Sequence, residues 1–258
     1  MVIHIFHPEK CLPATFPIAE NVHICKKNLV KNIIQLVIIA TIHATSYGQP
    51  DGFTALFNGH NLEGWWGLNT VNPESWINLP EEELAKKREK SLSDIHQHWR
   101  VENAERINDG KGLYLTTIQN FADFELNLEY KTVPLADSGI YLRGYPQVQI
   151  WDTTEAGGKW RYGAEKGSGG LWNNRPKNGW QPLVHADKPF GEWNHFRIIM
   201  KGDQVTIYLN QQLVVKEAIL INYWHKKANK RILSKGPIQL QTHGGEIRWR
   251  NLFLKETN

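Results

Sequence analysis

ADSGIYLRGYPQVQIWD, residues 136–152, reads as two short strands joined at Gly144-Tyr145-Pro146. Side chains alternate along a strand, so Ile140 and Leu142 share one face while Tyr141 and Arg143 share the other. In the second run Val148 and Ile150 oppose Gln147, Gln149 and Trp151. Paired as neighbours, the two strands give one aliphatic face for a core and one face of Tyr, Arg, Gln and Trp. Aromatic rings cover the apolar faces of a pyranose, and amides and a guanidinium hydrogen-bond hydroxyls and carbonyls in fixed geometry. An ordinary solvent-facing side of a sheet also carries Arg and Gln; the Trp and Tyr beside them favour a binding site.

Working outward, strand-like runs recur every eight to twelve residues from Trp99: WRVEN, GLYLTTI, FADFELNLEYKTV, the central pair, HFRIIMK, QVTIYLN, QLVVKEA, PIQLQTH and EIRWRNLFLKE. Gly202-Asp203 and Asn210-Gln211 sit where hairpins turn. Even spacing with such turns predicts an all-β sandwich or jelly roll. In FELNLEY, Phe124, Leu126, Leu128 and Tyr130 take one face and Glu125, Asn127 and Glu129 the other, as in a half-buried strand. Between the central pair and the later hairpins, residues 157–190 are rich in Gly, Trp, Asn and Pro, with GSGGLWNNRP at their middle. A loop this long in a compact domain is functional or disordered, and Trp160, Trp172 and Trp180 argue for order. It is expected to fold over one end of the sheet and wall a pocket; capping the core is the other use for its tryptophans.

Upstream, residues 52–67 hold an apolar run, a turn at Asn58-Gly59 and the pair Trp65-Trp66. From Pro73 to Ile95 the pattern changes: Glu81, Glu82 and Glu83 lead, and Lys86, Lys87, Arg88 and Lys90 follow, which complements a helix dipole. This is the one expected helix, a short insertion over an edge or rim. His96 and His98 follow it, and with no nearby carboxylate or third His in view they are expected at the rim rather than on a metal.

The chain has eleven Trp and 21 Gly in 258 residues, which suits a loop-rich β protein that handles carbohydrate. Residues 1–49 contain four Lys and two acids, leaving 26 basic and 24 acidic groups in residues 50–258, a net of +2. That is no nucleic-acid footprint, and no nucleic-acid partner is expected. Lys31-Asn32, then IIQLVIIA, then small and polar residues to Gln49 describe a secretory signal peptide over about residues 30–49, too short for a membrane span. Val30, read from a GTG codon, is the expected start, with residues 1–29 a mis-called extension. Residues 50–258 are expected to form a single domain in a bacterial periplasmic or secreted protein with no membrane partner. Cys11 and Cys25 precede that domain, so it needs no disulfide.

The ordered set GFTALFNGHNLEGW, DFELNLEY, SGIYLRG, QVQIWD, GEWNHFRIIMKGDQVTIYLN and GPIQLQTHGGEIRWRN, spanning residues 52–256, resembles the 3-keto-disaccharide hydrolase domain family, long a domain of unknown function. The resemblance implies a concanavalin A-like jelly roll of two antiparallel sheets. It also implies cleavage of 3-keto-glycosides, as 3-keto-glucoside 1,2-lyase and 3-keto-2-hydroxy-glucal hydratase. A ketone at C3 acidifies the C2 hydrogen; a base removes it, the enolate expels the aglycone from C1, and water adds to the resulting glucal. Such chemistry needs one base near C2 and donors aimed at the enolate oxygen. The substrate implies a linked sugar oxidoreductase. Two departures stand out: Gln147 replaces the Glu of a common E-x-Q run, and Gln211 replaces the Gly that commonly follows the turn Asn.

Candidates follow from the strands. In GPIQLQTHGG, Ile238 and Leu240 alternate with Gln239, Gln241 and His243, and His243 is the first choice as base or acid because imidazole titrates near neutral pH. Arg143 is the expected orienter of the ketone or enolate oxygen, with Gln149 beside it; a salt bridge to Asp137 or Asp152 is its structural alternative. Asp152, at a strand end, suits a base, a metal ligand or a turn cap. Tyr141, Gln147, Gln149, Trp151, Trp172, Gln241 and Arg250 are expected to bind substrate. A divalent metal polarising the ketone fits the chemistry, with Asp152 and His243 as candidate ligands; no organic cofactor is expected. Two other readings stand beside this one. A lectin-like module uses the same fold without catalysis. A conventional endo-glycosidase places paired acids on one strand, as E-x-D-x-E, and no such run occurs here.

Overall fold

Alternation of apolar and polar side chains builds both layers of the protein. The computed structural model describes residues 48–175 and 177–257; the chain ahead of residue 48, with nearly all of the expected leader, lies outside the described residues. Thirteen strands are formed among the described residues: β1 (Thr54–Ala55), β2 (Trp65–Leu68), β3 (Trp99–Glu102), β4 (Glu105–Asn108), β5 (Tyr114–Thr117), β6 (Phe124–Thr132), β7 (Asp137–Leu142), β8 (Tyr145–Trp151), β9 (Asn194–Lys201), β10 (Gln204–Leu209), β11 (Gln212–Ile219), β12 (Ile238–Leu240) and β13 (Ile247–Glu256). One sheet has the order β11-β10-β9-β6-β13-β4-β3, with β1 paired to β13; the other runs β2-β5-β12-β7-β8. All named pairings are antiparallel, and the two sheets form the expected jelly-roll sandwich.

The core lies between the sheets. From the larger sheet, Phe124, Leu126, Leu128 and Tyr130 of β6 meet Phe196, Ile198 and Met200 of β9. The smaller sheet contributes Leu115, Ile140, Leu142, Val148, Ile150, Ile238 and Leu240. Each such side chain contributes about 1.5–3 kcal/mol when taken fully out of water. A register shift in β13 after Arg250 puts Asn251 at φ 52°, which resets the alternation so that Leu252 and Leu254 point inward as Ile247 and Trp249 do. At the β10–β11 hairpin, Asn210 and Gln211 both have positive φ, 50° and 69°, the two-residue turn whose twist matches its strands. Gln211 holds that geometry without a glycine.

The single α-helix among the described residues, α1 (Glu81–His98), covers β2, the edge strand of the smaller sheet. Its Ser91 Oγ accepts from Gly67 N at 2.9 Å, and Ile95 is buried in the core. The helix is one turn longer than its charge pattern predicts, so His96 and His98 belong to its last turn instead of following it. His98 does have a carboxylate, with Nδ1 2.9 Å from Asp109. The opposite edge, β8, is covered by residues 169–171: Gly169 N donates to Gln149 O at 2.8 Å and Gln149 N to Gly170 O at 2.9 Å. Both edges of the smaller sheet are thereby closed to further pairing.

Candidate active site

The side of the smaller sheet turned away from the core carries a polar set that continues across four strands. Tyr114 and Thr116 come from β5, Gln239 from β12 with Gln241 just beyond it, Asp137 and Tyr141 from β7, and Gln147, Gln149 and Trp151 from β8. Period-two alternation puts all of them opposite Ile238, Leu240, Ile140, Val148 and Ile150. The 157–190 loop folds over this face and closes a cavity of about 360 Å³, within the range of small-molecule sites. Tyr141, Gln147, Gln149, Trp151, Trp172, Gln241 and His243 all line it. The loop therefore walls a pocket, though of its three tryptophans only Trp172 does so.

At the centre is Asp137, whose backbone is fixed by donation from its N to Gly244 O at 2.8 Å. That bridge brings the 243–245 turn beside the start of β7 and sets His243 Nδ1 3.0 Å from Asp137 Oδ2. The turn requires glycine at 245, where φ is 69° and a Cβ would lie 2.8 Å from Ala136 Cα. Asp137 also accepts from Lys159 Nζ, and its other oxygen accepts from Gln149 Nε2 at 2.8 Å. Gln147 Nε2 in turn donates to Gln149 Oε1. The amide of Gln147, at the position of the family's common Glu, supplies a donor that a carboxylate lacks.

This network decides the charges. Burial alone raises the Asp137 pKa, but His243 and Lys159 overcome it and hold the carboxyl below its ordinary range. The same contact raises the His243 pKa above the usual imidazole value, against the opposing effect of burial. The His243 side chain is 59 % exposed, and among the described residues its Nε2 has no protein partner. An imidazole held at Nδ1 by a carboxylate, with the second nitrogen available, is oriented for proton transfer.

Around it, hydroxyls and an amide form a second cluster. Thr70 Oγ1 lies 2.9 Å from Tyr114 OH and 3.0 Å from Tyr141 OH. Gln241 Nε2 donates weakly to Tyr114 OH at 3.4 Å, while Gln241 Oε1 is buried without a partner among the described residues. Gly139 makes room for it, since a Cβ there would approach Gln241 Oε1 to 2.9 Å. An unsatisfied buried acceptor on a cavity wall is a place for a ligand hydroxyl. Trp151 and Trp172 meet edge to face at 5.4 Å, and Tyr162 meets Trp172 at 5.9 Å, giving the cavity an aromatic wall.

Three expected residues are not in this cavity. Arg143 is 1 % exposed but sits past the end of β7 at φ 54°, where the alternation shared with Tyr141 breaks. Its guanidinium turns to the end of the sandwich and donates to Ala122 O, to Gly202 O at 2.6 Å and to Asp123 Oδ1 at 2.7 Å. It pairs with neither Asp137 nor Asp152 and holds three chain segments together. Asp152 is the turn cap among its three readings: Oδ2 accepts from Leu135 N at 2.8 Å, and Oδ1 from Thr154 N at 2.8 Å and Thr154 Oγ1 at 2.6 Å. Burial works to raise its pKa, and the Thr154 hydroxyl and backbone amides hold it low. Arg250 lies on the outer face of the larger sheet, donating to Glu129 Oε2 at 2.7 Å and stacking on Trp193 at 4.0 Å. Trp249 takes the inward place, so alternation sends Arg250 outward.

The same placements decide the metal question for this cavity. Asp152 has spent both oxygens on its turn, and the carboxylate beside His243 already holds the Lys159 ammonium. No cluster of three or more His, Cys, Asp or Glu suited to a metal occurs among the described residues. The donor set of Asp152 and His243 does not fit a cation.

Sequence reasoning missed Asp137, Lys159, Tyr114, Tyr162, Thr70 and Tyr223, all of which line the cavity. Asp137 was within reach: it stands two and four residues before Gly139 and Tyr141 on the same strand face. Lys159 gives no signal, because its place depends on the path of the loop.

Comparison with known proteins agrees with this architecture. A crystal structure of a candidate glycosyl hydrolase from Parabacteroides distasonis superposes with a TM-score of 0.53 at 18 % identity, over 80 % of this chain and 95 % of that one. A second from the same organism gives 0.51 at 22 % identity, over 62 % and 91 %. A 3-keto-disaccharide hydrolase of Bacteroides thetaiotaomicron is 22 % identical over 249 residues, covering 80 % of this chain and 78 % of the relative. The model of the 3-keto-alpha-glucoside-1,2-lyase-like domain matches residues 52–255, nearly all of the sandwich, and the chain belongs to that family.

Proposed function

We propose that this protein cleaves the glycosidic bond of 3-keto-glycosides by removal of the C2 proton, elimination of the aglycone and hydration of the resulting glucal. The observation that carries the reading is the Asp137–His243 contact at 3.0 Å, with Nε2 of His243 left for a ligand on the cavity lined by Trp151, Trp172 and Gln241. Family membership and the sugar-acting relative support a hydrolase that works on sugars.

In this reading the sugar ring lies against Trp151 and Trp172. His243 Nε2 takes the C2 proton, and Asp137 stabilises the imidazolium that forms. Lys159 balances Asp137, and with the Tyr114, Tyr141 and Thr70 hydroxyls it supplies donors for the developing enolate oxygen. The electron pair of the C2–H bond becomes the enolate, then expels the C1 oxygen substituent as the C1–C2 double bond forms. The imidazolium returns its proton to the leaving oxygen, and addition of water across that bond completes the net hydrolysis. Burial raises the Tyr141 pKa, so its hydroxyl stays protonated as a donor.

A sugar oxidoreductase has to supply the ketone, and the leader-like run before residue 50 supports work in the periplasm or outside the cell. The step is tested with a 3-keto-glucoside deuterated at C2. Aglycone release slowed about two- to sevenfold relative to the protiated sugar, as a primary isotope effect, is the expected result. An isotope ratio of one, under conditions where chemistry limits the rate, rules out C2 proton removal as the slow step. Sugar binding without release moves the reading to a lectin-like module.

A further inference from the structure

Residues 50–258 carry a net charge of only +2, yet several of their cations meet in one place. A second cavity of about 360 Å³ is lined by Arg175, Lys177, Lys226, Lys230 and Arg231, with Asp203 as its one carboxylate. Arg231 Nε donates to Asp203 at 2.8 Å, and Lys230 Nζ to Glu74 at 2.6 Å. Among the described residues Arg175, Lys177 and Lys226 have no carboxylate within 4.0 Å. Aromatic rings support two of them instead: Arg175 stands 5.1 Å from the centre of Trp180, and Lys226 5.1 Å from that of Tyr223. Asn222, which is buried, ties the segment together by accepting from Trp224 N at 3.1 Å and donating to Arg231 O at 3.1 Å. Lys226 is exposed, and what burial it has pulls its pKa down with no counter-charge to raise it. These cations are exposed around a concave site, and such a gathering is complementary to a carboxylate, sulfate or phosphate.

The two cavities have no lining residue in common but are built from neighbouring residues of the same segments. Trp172 and Asn173 line the first and Arg175 the second; Tyr223 lines the first while Asn222 and His225 line the second. Thr70 borders the first, and Glu74, four residues on, holds Lys230 and contacts His225 at 3.4 Å. A glycoside with its sugar in the first cavity is therefore flanked by cations on the side of residues 175 and 226.

We propose that the second cavity is an aglycone subsite for an acidic glycoside, whose carboxylate or sulfate is held by Arg175, Lys177 and Lys226. This rests on the first cavity being the sugar site. The subsite selects substrates with a negatively charged leaving group and leaves the proton chemistry to His243.

The test is calorimetric titration of the purified protein with a glucosyl-glucuronate disaccharide, the matching neutral glucosyl-glucose and inorganic sulfate alone, none of which is oxidised at C3. At low ionic strength the acidic disaccharide is expected to bind about tenfold or more tightly than the neutral one, since a hydrogen bond to a charged group contributes about 1.5–3 kcal/mol. Added salt erodes that preference. In the double variant Arg175→Met, Lys226→Met, with an unchanged circular dichroism spectrum, the ratio of the two affinities falls to about one. Equal affinity for the two disaccharides overturns the proposal, as does a preference that survives in the double variant. Sulfate alone binding as tightly as the acidic disaccharide also overturns it, because the site is then a free-anion site. Aglycone release from a neutral 3-keto-glucoside is followed in parallel. Normal release with no acid preference defeats only the subsite, and absent release with the preference intact defeats only the keto-sugar chemistry.

Discussion

The outer faces of the two sheets carry similar residues and do different work. On the larger sheet Glu125 takes a two-pronged contact from Arg197 at 2.7 and 2.9 Å, Glu129 is held by Arg250 and Asn251 at 2.7 Å, and Glu105 meets Arg248 at 3.2 Å. Each of these acids has its basic partner at hand. On the smaller sheet Asp137 is shared by a lysine, a histidine and an amide, His243 keeps one nitrogen uncommitted, and Gln241 Oε1 has no partner. A loop covers that face; Gln241 Oε1 is buried as well as unpaired, while His243 stays open to the cavity mouth. Charge on a sheet is ordinary; polar groups left incompletely satisfied in a covered cavity are what mark the smaller sheet as the candidate site.

The largest break in the comparison is expected at His243. His243→Ala removes the proposed base, and aglycone release from a 3-keto-glucoside should fall by about 10²–10⁴-fold with the fold intact by circular dichroism. Full activity in that variant removes His243 from the mechanism. Next in size is Arg143→Met, which acts on stability instead of chemistry. Losing a guanidinium that bonds buried carbonyls and Asp123 should cost about 3–5 kcal/mol in urea unfolding, while the turnover of the remaining folded protein stays near wild type. A stable but inactive variant would return Arg143 to the site.

Asp137→Asn sharpens the comparison through pH. The carboxylate holds the His243 pKa above its ordinary value, so the base form grows in only as pH rises through that raised value. Without the carboxylate the His243 pKa drops, more so with the Lys159 charge left unbalanced. The acid limb of the kcat/KM profile should move to lower pH, while the plateau falls about 10–100-fold as part of the general-base contribution. An unmoved limb with a lowered plateau means that Asp137 does not act through His243. Smallest is Arg250→Ala: an ion pair on the outer face contributes about 0–1 kcal/mol, and aglycone release should not change. Loss of release there erases the distinction between the two faces.

The fold was legible because alternation is a strong local signal. FELNLEY, GIYL and PIQL each announce an inward face, and Phe124, Leu126, Ile140, Leu142, Ile238 and Leu240 all occupy it. The cavity wall was legible for the same reason, since Tyr141, Gln147, Gln149, Trp151 and Gln241 are the other halves of those alternations. Reasoning by alternation failed where a backbone angle reverses. Arg143 at φ 54° leaves the strand one residue too soon for its parity to hold. Arg250 has the right parity, but sequence does not say which sheet takes β13, and β13 belongs to the larger one. Lys159 and Tyr223 reach the cavity from loops, and the cations of residues 225–231 converge with Arg175 and Lys177 only through tertiary contact.

The central claim, that the covered face of the smaller sheet is a site for keto-sugar elimination, is tested most directly by incubating the purified protein with a 3-keto-glucoside and with its unoxidised parent and following aglycone release. The account predicts release from the keto sugar alone, abolished by His243→Ala. Release from the unoxidised parent at a comparable rate, unaffected by that variant, would contradict it.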